Sequence, residues 1–347
     1  MHGNFGFGGM RLPMKGQQVD LALFAQMVDA FLLAGFNYFD TAHGYVGGQS
    51  ETALRDCLVK RYPRDRFLLT DKLSTHFFTK EEEVRPLLEQ QLAACGVEYF
   101  DFLLMHAQDA AIYEKYLRCK AYEQSLAFVA EGKAKHFGIS FHDKADVLDR
   151  ILTDWPQIEI VQIQLNYVDW EDVSVESKKV HDVCAKHGKP VIIMEPVKGG
   201  NLVNLPEEAQ KPLARLNQER GTQASNASYA LRFAGSQPQT AMVLSGILLP
   251  FHLFSFDGSR ISLFFFPVVA YPATFHMCLS MAANKMCLSG CVCMQPFAWS
   301  TPLTKEQPCL ILVYSKLYYS VLLVCGRSVL WITASGSSGW RCSSAAW

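Results

Sequence analysis

Four side chains stand where an apolar run gives way to a loop. They are Asp40 in "NYFDTAHGY", Lys72 in "LLTDKL", His106 in "DFLLMHA", and Tyr45 just beyond Asp40. A lysine at the end of a buried strand is costly unless it is paired, and Asp40 is the obvious partner. An ammonium beside Tyr45 would favour the phenolate and draw the phenol down from its ordinary value of about 10, making Tyr45 a proton donor near neutral pH. His106 could hydrogen-bond a substrate oxygen. Together these groups suit a carbonyl whose oxygen is protonated or polarised while a nucleophile or hydride attacks its carbon. Taken singly, each has an ordinary reading: Asp40 as a turn former, Tyr45 as a packed aromatic, Lys72 as a solvated strand end, His106 as a core histidine. The chemical reading rests on their joint appearance at successive strand ends.

The elements that must position them alternate along residues 1–247. Strand-like runs cover 5–13, 36–42, 67–73, 99–107, 136–141, 158–167, 190–197 and 240–247. Helical periods fill 19–34, 50–60, 80–95, 114–131, 143–153, 173–187 and 206–235. In 19–34 the residues Phe24, Met27, Val28 and Phe31 share one face, and Gly35 reads as the helix stop. Strands that are apolar on both sides imply a parallel sheet covered by helices. Eight of them predict an α/β fold of the (β/α)8 TIM-barrel type, about 250 residues long, with its chemistry at the C-terminal strand ends. An open doubly wound sheet is the alternative, but no G-x-G-x-x-G motif follows the first strand.

The composition changes near residue 247. Of 32 Lys and Arg and 33 Asp and Glu, only Asp257, Arg260, Lys285, Lys305, Glu306, Lys316, Arg327 and Arg341 follow Leu248. Seven of the 11 cysteines lie in that same stretch. The reading is therefore a barrel over 1–247, incomplete at its C-terminal helix. An atypical apolar, Cys-rich tail follows over 248–347, disordered or joined out of frame. Residues 261–283 have the length of a membrane span but are interrupted by Pro267 and Pro272, which argues against a membrane anchor. Cys287, Cys291 and Cys293 lack the spacing of an iron–sulfur or zinc site, so no metal is expected in this chain. A net charge of −1 with no basic stripe gives no reason to expect a nucleic-acid partner. The first residues do not read as a signal peptide, so a cytoplasmic location is expected.

The strings "GFNYFDTAHGYVGGQSE", "DKL", "DFLLMHA", "KAKHFGIS" and "VQIQLNY" resemble, in order, the aldo-keto reductases over about residues 5–247. The resemblance is nearest to the bacterial branch whose members often carry a C-terminal ferredoxin-like segment. It implies a nicotinamide cofactor, NADP(H) or NAD(H), and hydride transfer to a small-molecule aldehyde or ketone. In that pattern Tyr45 gives the proton, Lys72 held by Asp40 tunes Tyr45, and His106 positions the carbonyl. Asp40, Ser140 and Gln164 match positions around the nicotinamide. The family often has Asn after that Ser, whereas here Phe141 follows. Met194 takes the place of the usual ring-stacking aromatic. Glu195, Val197, Gly199 and Gly200 match the loop along the cofactor phosphates, and Met10 and Arg11 lie where the first strand meets the cofactor. The competing reading is a barrel that binds the cofactor without turnover, as a sensor or partner subunit.

Overall fold

The computed structural model describes residues 4–246, together with the strand backbone of 252–257, 260–265, 309–314, 319–325, 328–334 and 340–346. Strand β1 (Phe5–Gly8) is followed by a short hairpin, β2 (Met14–Lys15) and β3 (Gln18–Val19), which the sequence did not announce. Seven further strands complete a ring: β4 (Tyr38–Asp40), β5 (Leu68–Leu73), β6 (Phe100–Gln108), β7 (Ala134–Phe141), β8 (Ile160–Gln164), β9 (Val191–Met194) and β10 (Thr240–Ser245). The eight parallel strands close in the order β1-β10-β9-β8-β7-β6-β5-β4. This is the (β/α)8 TIM barrel.

Helices connect the strands. They are α1 (Leu21–Leu33), α2 (Gln49–Leu54), α3 (Val84–Cys95), α4 (Ala110–Arg118), α5 (Ala121–Ala130), α6 (Ala145–Asp154), α7 (Ser177–Lys186), α8 (Glu207–Arg220) and α9 (Asn226–Gly235). Two long helical readings are each split. Lys120, at φ 45°, separates α4 from α5, and Gly221, at φ 61°, ends α8 before α9 begins. In α1, Asp20 caps the first turn by accepting from the Leu23 amide at 3.0 Å, Phe24, Met27, Val28 and Phe31 are buried, and Gly35 takes a left-handed φ of 88° just past the end.

Alternation along the strands makes two cores. Outward-facing Phe5, Phe7, Phe39, Leu103 and Ile193 pack against the helices. Inside the barrel, Tyr38, Phe102, Leu104, Ile160, Ile192, Met242 and Leu244 fill the lower layers. Those apolar layers close the floor beneath the polar strand ends, so the barrel is a plugged cup and not a pore.

No helix follows Ser245 among the described residues. Strands β11 (His252–Asp257) and β12 (Arg260–Phe265) pair antiparallel. The chain divides into two compact units, residues 1–265 and 266–347. In the second unit, β13 (Cys309–Tyr314), β14 (Tyr319–Cys325), β15 (Ser328–Ala334) and β16 (Trp340–Ala346) form an antiparallel sheet in sequence order. The expectation of a disordered or out-of-frame tail falls largely outside the described residues, as do Cys287, Cys291, Cys293 and all but the first five residues of the apolar run 261–283. Among the described residues no helix is long and apolar enough to cross a membrane.

Gly138 on β7 faces the barrel interior between its register partners Leu104 and Ile160. A Cβ there would lie 2.5 Å from the Ile160 carbonyl oxygen and 2.8 Å from Leu104 Cδ2. Strand backbone yields poorly, so Gly138→Ala is expected to cost about 1–3 kcal/mol, as overpacking does. Denaturant unfolding of the barrel checks this, and an unchanged midpoint would contradict the close packing.

Candidate active site at the barrel mouth

Strand β4 delivers Asp40 as its last residue, fully inside the barrel and 4% exposed. Lys72, on the adjacent β5, is 0% exposed. Its ammonium donates to Asp40 Oδ1 at 2.6 Å and to the Thr41 carbonyl at 2.8 Å. From across the barrel, Gln162 Nε2 on β8 donates to Asp40 Oδ2 at 3.1 Å. Both carboxylate oxygens are thus engaged. Burial lifts the Asp40 carboxyl while Lys72 and Gln162 pull it down, leaving it above the usual range. Burial draws the Lys72 ammonium down, but Asp40 and Tyr45 outweigh it and hold the group above its ordinary value. Charge pairing has overcome desolvation at the lysine.

The chain then turns back over this pair. The Thr41 amide donates to the Thr70 carbonyl at 2.9 Å, and the Gly9 amide donates to the Asp40 carbonyl at 2.7 Å. The Ser50 hydroxyl ties the far side of the loop to the Gly9 carbonyl at 2.9 Å and accepts from Thr41 Oγ1 at 2.8 Å. Val46, Gly47 and Gly48 all take positive φ, which bends the segment sharply into α2. Tyr45 is held half-buried over the lysine, with Lys72 Nζ 4.8 Å from its ring centroid.

The phenol does not behave as the sequence suggested. Desolvation raises it above its ordinary value, and the Lys72 charge and hydrogen bond only partly offset this, while Asp40 and Asp71 push it further up. Spacing reveals the cation and Asp40 but not the burial or the second carboxylate, Asp71. Tyr45 therefore stays a neutral phenol through the neutral range. His106 completes the group from β6, its ring edge-to-face with Tyr45 at 5.7 Å between centroids. Burial and the charges of Lys72, His142 and His76 press its pKa down to about 3, so the imidazole is uncharged at neutral pH.

The structure brings the second group of expected residues to the same rim. Ser140 on β7 is buried, and its hydroxyl oxygen accepts from the Ala107 amide at 2.8 Å. Gln164 and Met194, the last residues of β8 and β9, are register partners. Gln164 Nε2 donates to Asp169 Oδ2 at 2.8 Å. Asn166 donates to the same oxygen at 2.6 Å and to the Glu195 carbonyl at 3.1 Å, while Lys198 pairs with the other oxygen of Asp169. Glu195, Lys198, Gly199 and Gly200 all take positive φ and coil the loop tightly around Val197. Arg11 reaches across from the first strand's loop to lie 3.7 Å from Glu195 and beside Gly199. Met10, next to it, is exposed and makes no polar contact of note.

Sequence reasoning passed over Gln162, Asp169 and Ser74. Gln162 had a signal: in "IVQIQ" the polar residues alternate on the face that must point inward. Ser74 lies two residues after Lys72, on the same face. His43, in the turn after Asp40, also has a partner: its Nδ1 lies 3.0 Å from Glu51 Oε2, and its ring meets Phe77 edge-on.

Behind the strand wall, Glu51, Asp71 and Cys95 are all buried, with ligand-type atoms within 4.8 Å of one another. Such a set could in principle receive a cation. It also satisfies itself with protons. The Cys95 thiol donates to Asp71 Oδ2 at 3.7 Å, and the Glu51 carboxyl, which also lies 3.0 Å from His43 Nδ1, pushes Asp71 further up so that it keeps its proton. Desolvation lifts Asp71 well above the carboxylate range and Glu51 from 4.5 to about 7. A carboxyl raised in the folded state contributes stability below its unfolded value and loses it as pH rises through the folded one. Glu51→Gln removes that loss. Relative to the parent, the variant is expected to gain stability as pH rises from 4.5 to about 7, by roughly 1 kcal/mol per pH unit. Unfolding midpoints across that window check this, and a flat difference would exclude a raised Glu51 carboxyl.

Residues 4–253 match the model of the Aldo/keto reductase family. The NAD(P)H-dependent D-xylose reductase xyl1 of Hypocrea jecorina is 35% identical over 114 residues, 30% of this chain and 34% of its own length. The norsolorinic acid reductase stcV of Emericella nidulans is 30% identical over 152 residues, 40% of this chain and 38% of its own. The chain thus spans little more than a third of the length of the curated relatives it matches, and these are fungal. An aldo-keto reductase from Klebsiella pneumoniae, solved with NADPH, superposes with a TM-score of 0.58 at 18% identity, covering 72% of this chain and 82% of that one. The thermostable aldo-keto reductase Tm1743 superposes at 0.56 with 19% identity, over 70% and 84%. At such identities the solved structures share the fold. The family match spans most of the barrel and includes all four strand-end residues, and the chain belongs to the aldo/keto reductase family.

Proposed function

We propose that this protein reduces the carbonyl of a small aldehyde or ketone with a nicotinamide cofactor, Tyr45 giving the proton. The observation that carries the reading is the Lys72–Asp40 ion pair, fully inside the barrel and directly beneath the Tyr45 ring. Relatives named as NAD(P)H-dependent reductases, and a fold neighbour solved with NADPH, support the choice of cofactor.

The residues at the rim fit such a cofactor. The Ser140 oxygen already accepts from Ala107, so its proton is free to donate. Gln164 gives its amide nitrogen to Asp169, which leaves its carbonyl oxygen as an acceptor. A donor and an acceptor side by side match the two ends of a nicotinamide carboxamide. Met194, beside Gln164, offers a thioether to the ring face. The left-handed run from Glu195 to Gly200, with Arg11 and Lys198 beside it, suits a phosphate chain.

When bound, the cofactor supplies a hydride to the carbonyl carbon. The chain's own groups manage the oxygen. His106 donates a hydrogen bond to it and sets its direction. Tyr45, a neutral phenol at working pH, passes its proton to the oxygen as negative charge develops there. The Lys72 ammonium stabilises the phenolate left behind, and Asp40 with Gln162 keeps that ammonium in place. On the oxidative path the same residues act in reverse, with Tyr45 as base.

Tyr45→Phe keeps the ring and removes only the proton. It is expected to lower kcat/KM for aldehydes by about 100-fold to 10,000-fold, the usual worth of general acid catalysis, while the NADPH dissociation constant is unchanged. NADPH consumption with a panel of aldehydes, alongside cofactor titration by fluorescence, makes the measurement. Turnover unaffected by the substitution would end this assignment. Tight cofactor binding with no turnover of any carbonyl would favour the sensor.

A further inference from the structure

The side of His106 away from the reacting centre is occupied. Its Nδ1 lies 2.5 Å from the Ser74 hydroxyl oxygen, and Ser74 is 3% exposed. Among the described residues no other hydrogen bond engages that hydroxyl, and none engages His106 Nε2. The geometry is held from behind. Tyr116, itself fully buried, places its hydroxyl 2.6 Å from the Leu73 carbonyl and 2.8 Å from the His106 carbonyl. One phenol thereby fixes the end of β5, which carries Ser74, against the end of β6, which carries His106.

A neutral imidazole has one proton and two nitrogens, so its partner at one nitrogen decides what the other offers. If Nδ1 carried the proton and donated to Ser74, the serine's own proton would be buried without an acceptor, a costly arrangement. Nε2 would then present a lone pair to a carbonyl oxygen, and the two would repel. If Ser74 donates to Nδ1, its proton is satisfied and Nε2 carries the hydrogen. Burial, together with the Lys72 cation beneath, makes a doubly protonated ring unfavourable, so the choice between the two neutral forms is the one that matters.

We propose that Ser74 is a positioning residue: by donating to His106 Nδ1 it holds the imidazole as the Nε2–H tautomer, so that the ring offers a donor and not a lone pair to the carbonyl oxygen. The role at the carbonyl rests on the reductase reading above. The tautomer itself does not.

The test separates the two. The full chain, labelled with ¹⁵N at histidine, reports the tautomer of each imidazole by NMR, and His106→Asn identifies the His106 signal. The parent protein is expected to show a protonated Nε2 and an unprotonated Nδ1. Ser74→Ala should shift that signal towards a mixture of tautomers, and Ser74→Thr, which keeps the hydroxyl, should restore it. In kinetics, Ser74→Ala should lower kcat/KM for the carbonyl about tenfold, the scale of one hydrogen bond, with the NADPH dissociation constant unchanged and recovery in the threonine variant. A parent spectrum with the proton on Nδ1 overturns the proposal whether or not any variant folds. So does an Ser74→Ala protein with the parent tautomer and parent kinetics. The expected parent tautomer, lost in Ser74→Ala and restored in Ser74→Thr, with no turnover in any form leaves Ser74's hold on the ring standing and removes the reductase reading instead.

Discussion

The structure depends on keeping one ammonium inside a protein. Lys72 has no exposed surface, and an unpaired buried charge costs several kcal/mol. What makes it tolerable is a set of acceptors from one strand end: the Asp40 carboxylate and the Thr41 carbonyl, with Gln162 securing the carboxylate from the far wall. A single strand cannot do this, since its successive side chains point to opposite faces. The closed barrel can, because β4, β5 and β8 all aim inward side chains at one axis. Removing Asp40 would leave the ammonium without its counter-charge, which is a larger penalty than the pair's own net contribution.

That cation acts on both neighbours in the same direction, against burial at one and with burial at the other. It draws the Tyr45 phenol down against a stronger upward push from burial, and it presses the His106 imidazole down in the same direction as burial. The outcome at neutral pH is a phenol that keeps its proton and an imidazole that does not gain a second one. A neutral donor beside a neutral ring, above a fixed positive charge, is arranged for an oxygen that becomes negative during reaction. Because the imidazole is neutral, its tautomer becomes a variable, and a hydroxyl such as Ser74 gains leverage that it would not have over an imidazolium.

Much of this was legible in the sequence, for a physical reason. A polar residue ending an apolar strand has few stable explanations, so Asp40, Lys72 and His106 stood out against Phe39, Leu69 and Leu104. Gly35 was readable as a stop because only a left-handed residue fits there. Other features were hidden. The direction of the Tyr45 shift depends on how much water the fold removes, which no local spacing encodes. The break at Lys120 needed a non-glycine residue at positive φ, which sequence preferences argue against. Nothing in the spacing of Glu51 and Asp71 marks them as neighbours. Only the packing of α2 and α3 against β5 places them together.

A second buried carboxylate shows why burial alone does not make a site. Asp101, near the N-terminal end of β6, is as inaccessible as Asp40. It accepts from Arg64 at 2.6 Å, from Lys135 at 3.0 Å and from the Leu69 amide at 2.9 Å. Both of its cations reach in from the surface, where water shares their charge, and both rest on the face of Tyr99. Such a cluster ties β5, β6 and β7 together and presents nothing to a ligand. At the opposite end the relation is inverted: the cation is buried, an acidic hydrogen lies within its reach, and the ring above it stands at the opening. The same ion-pair chemistry serves cohesion at one end of the barrel. At the other, Lys72 is shut away from water and the half-buried Tyr45 stands at the opening, the arrangement the proposed proton transfer calls for.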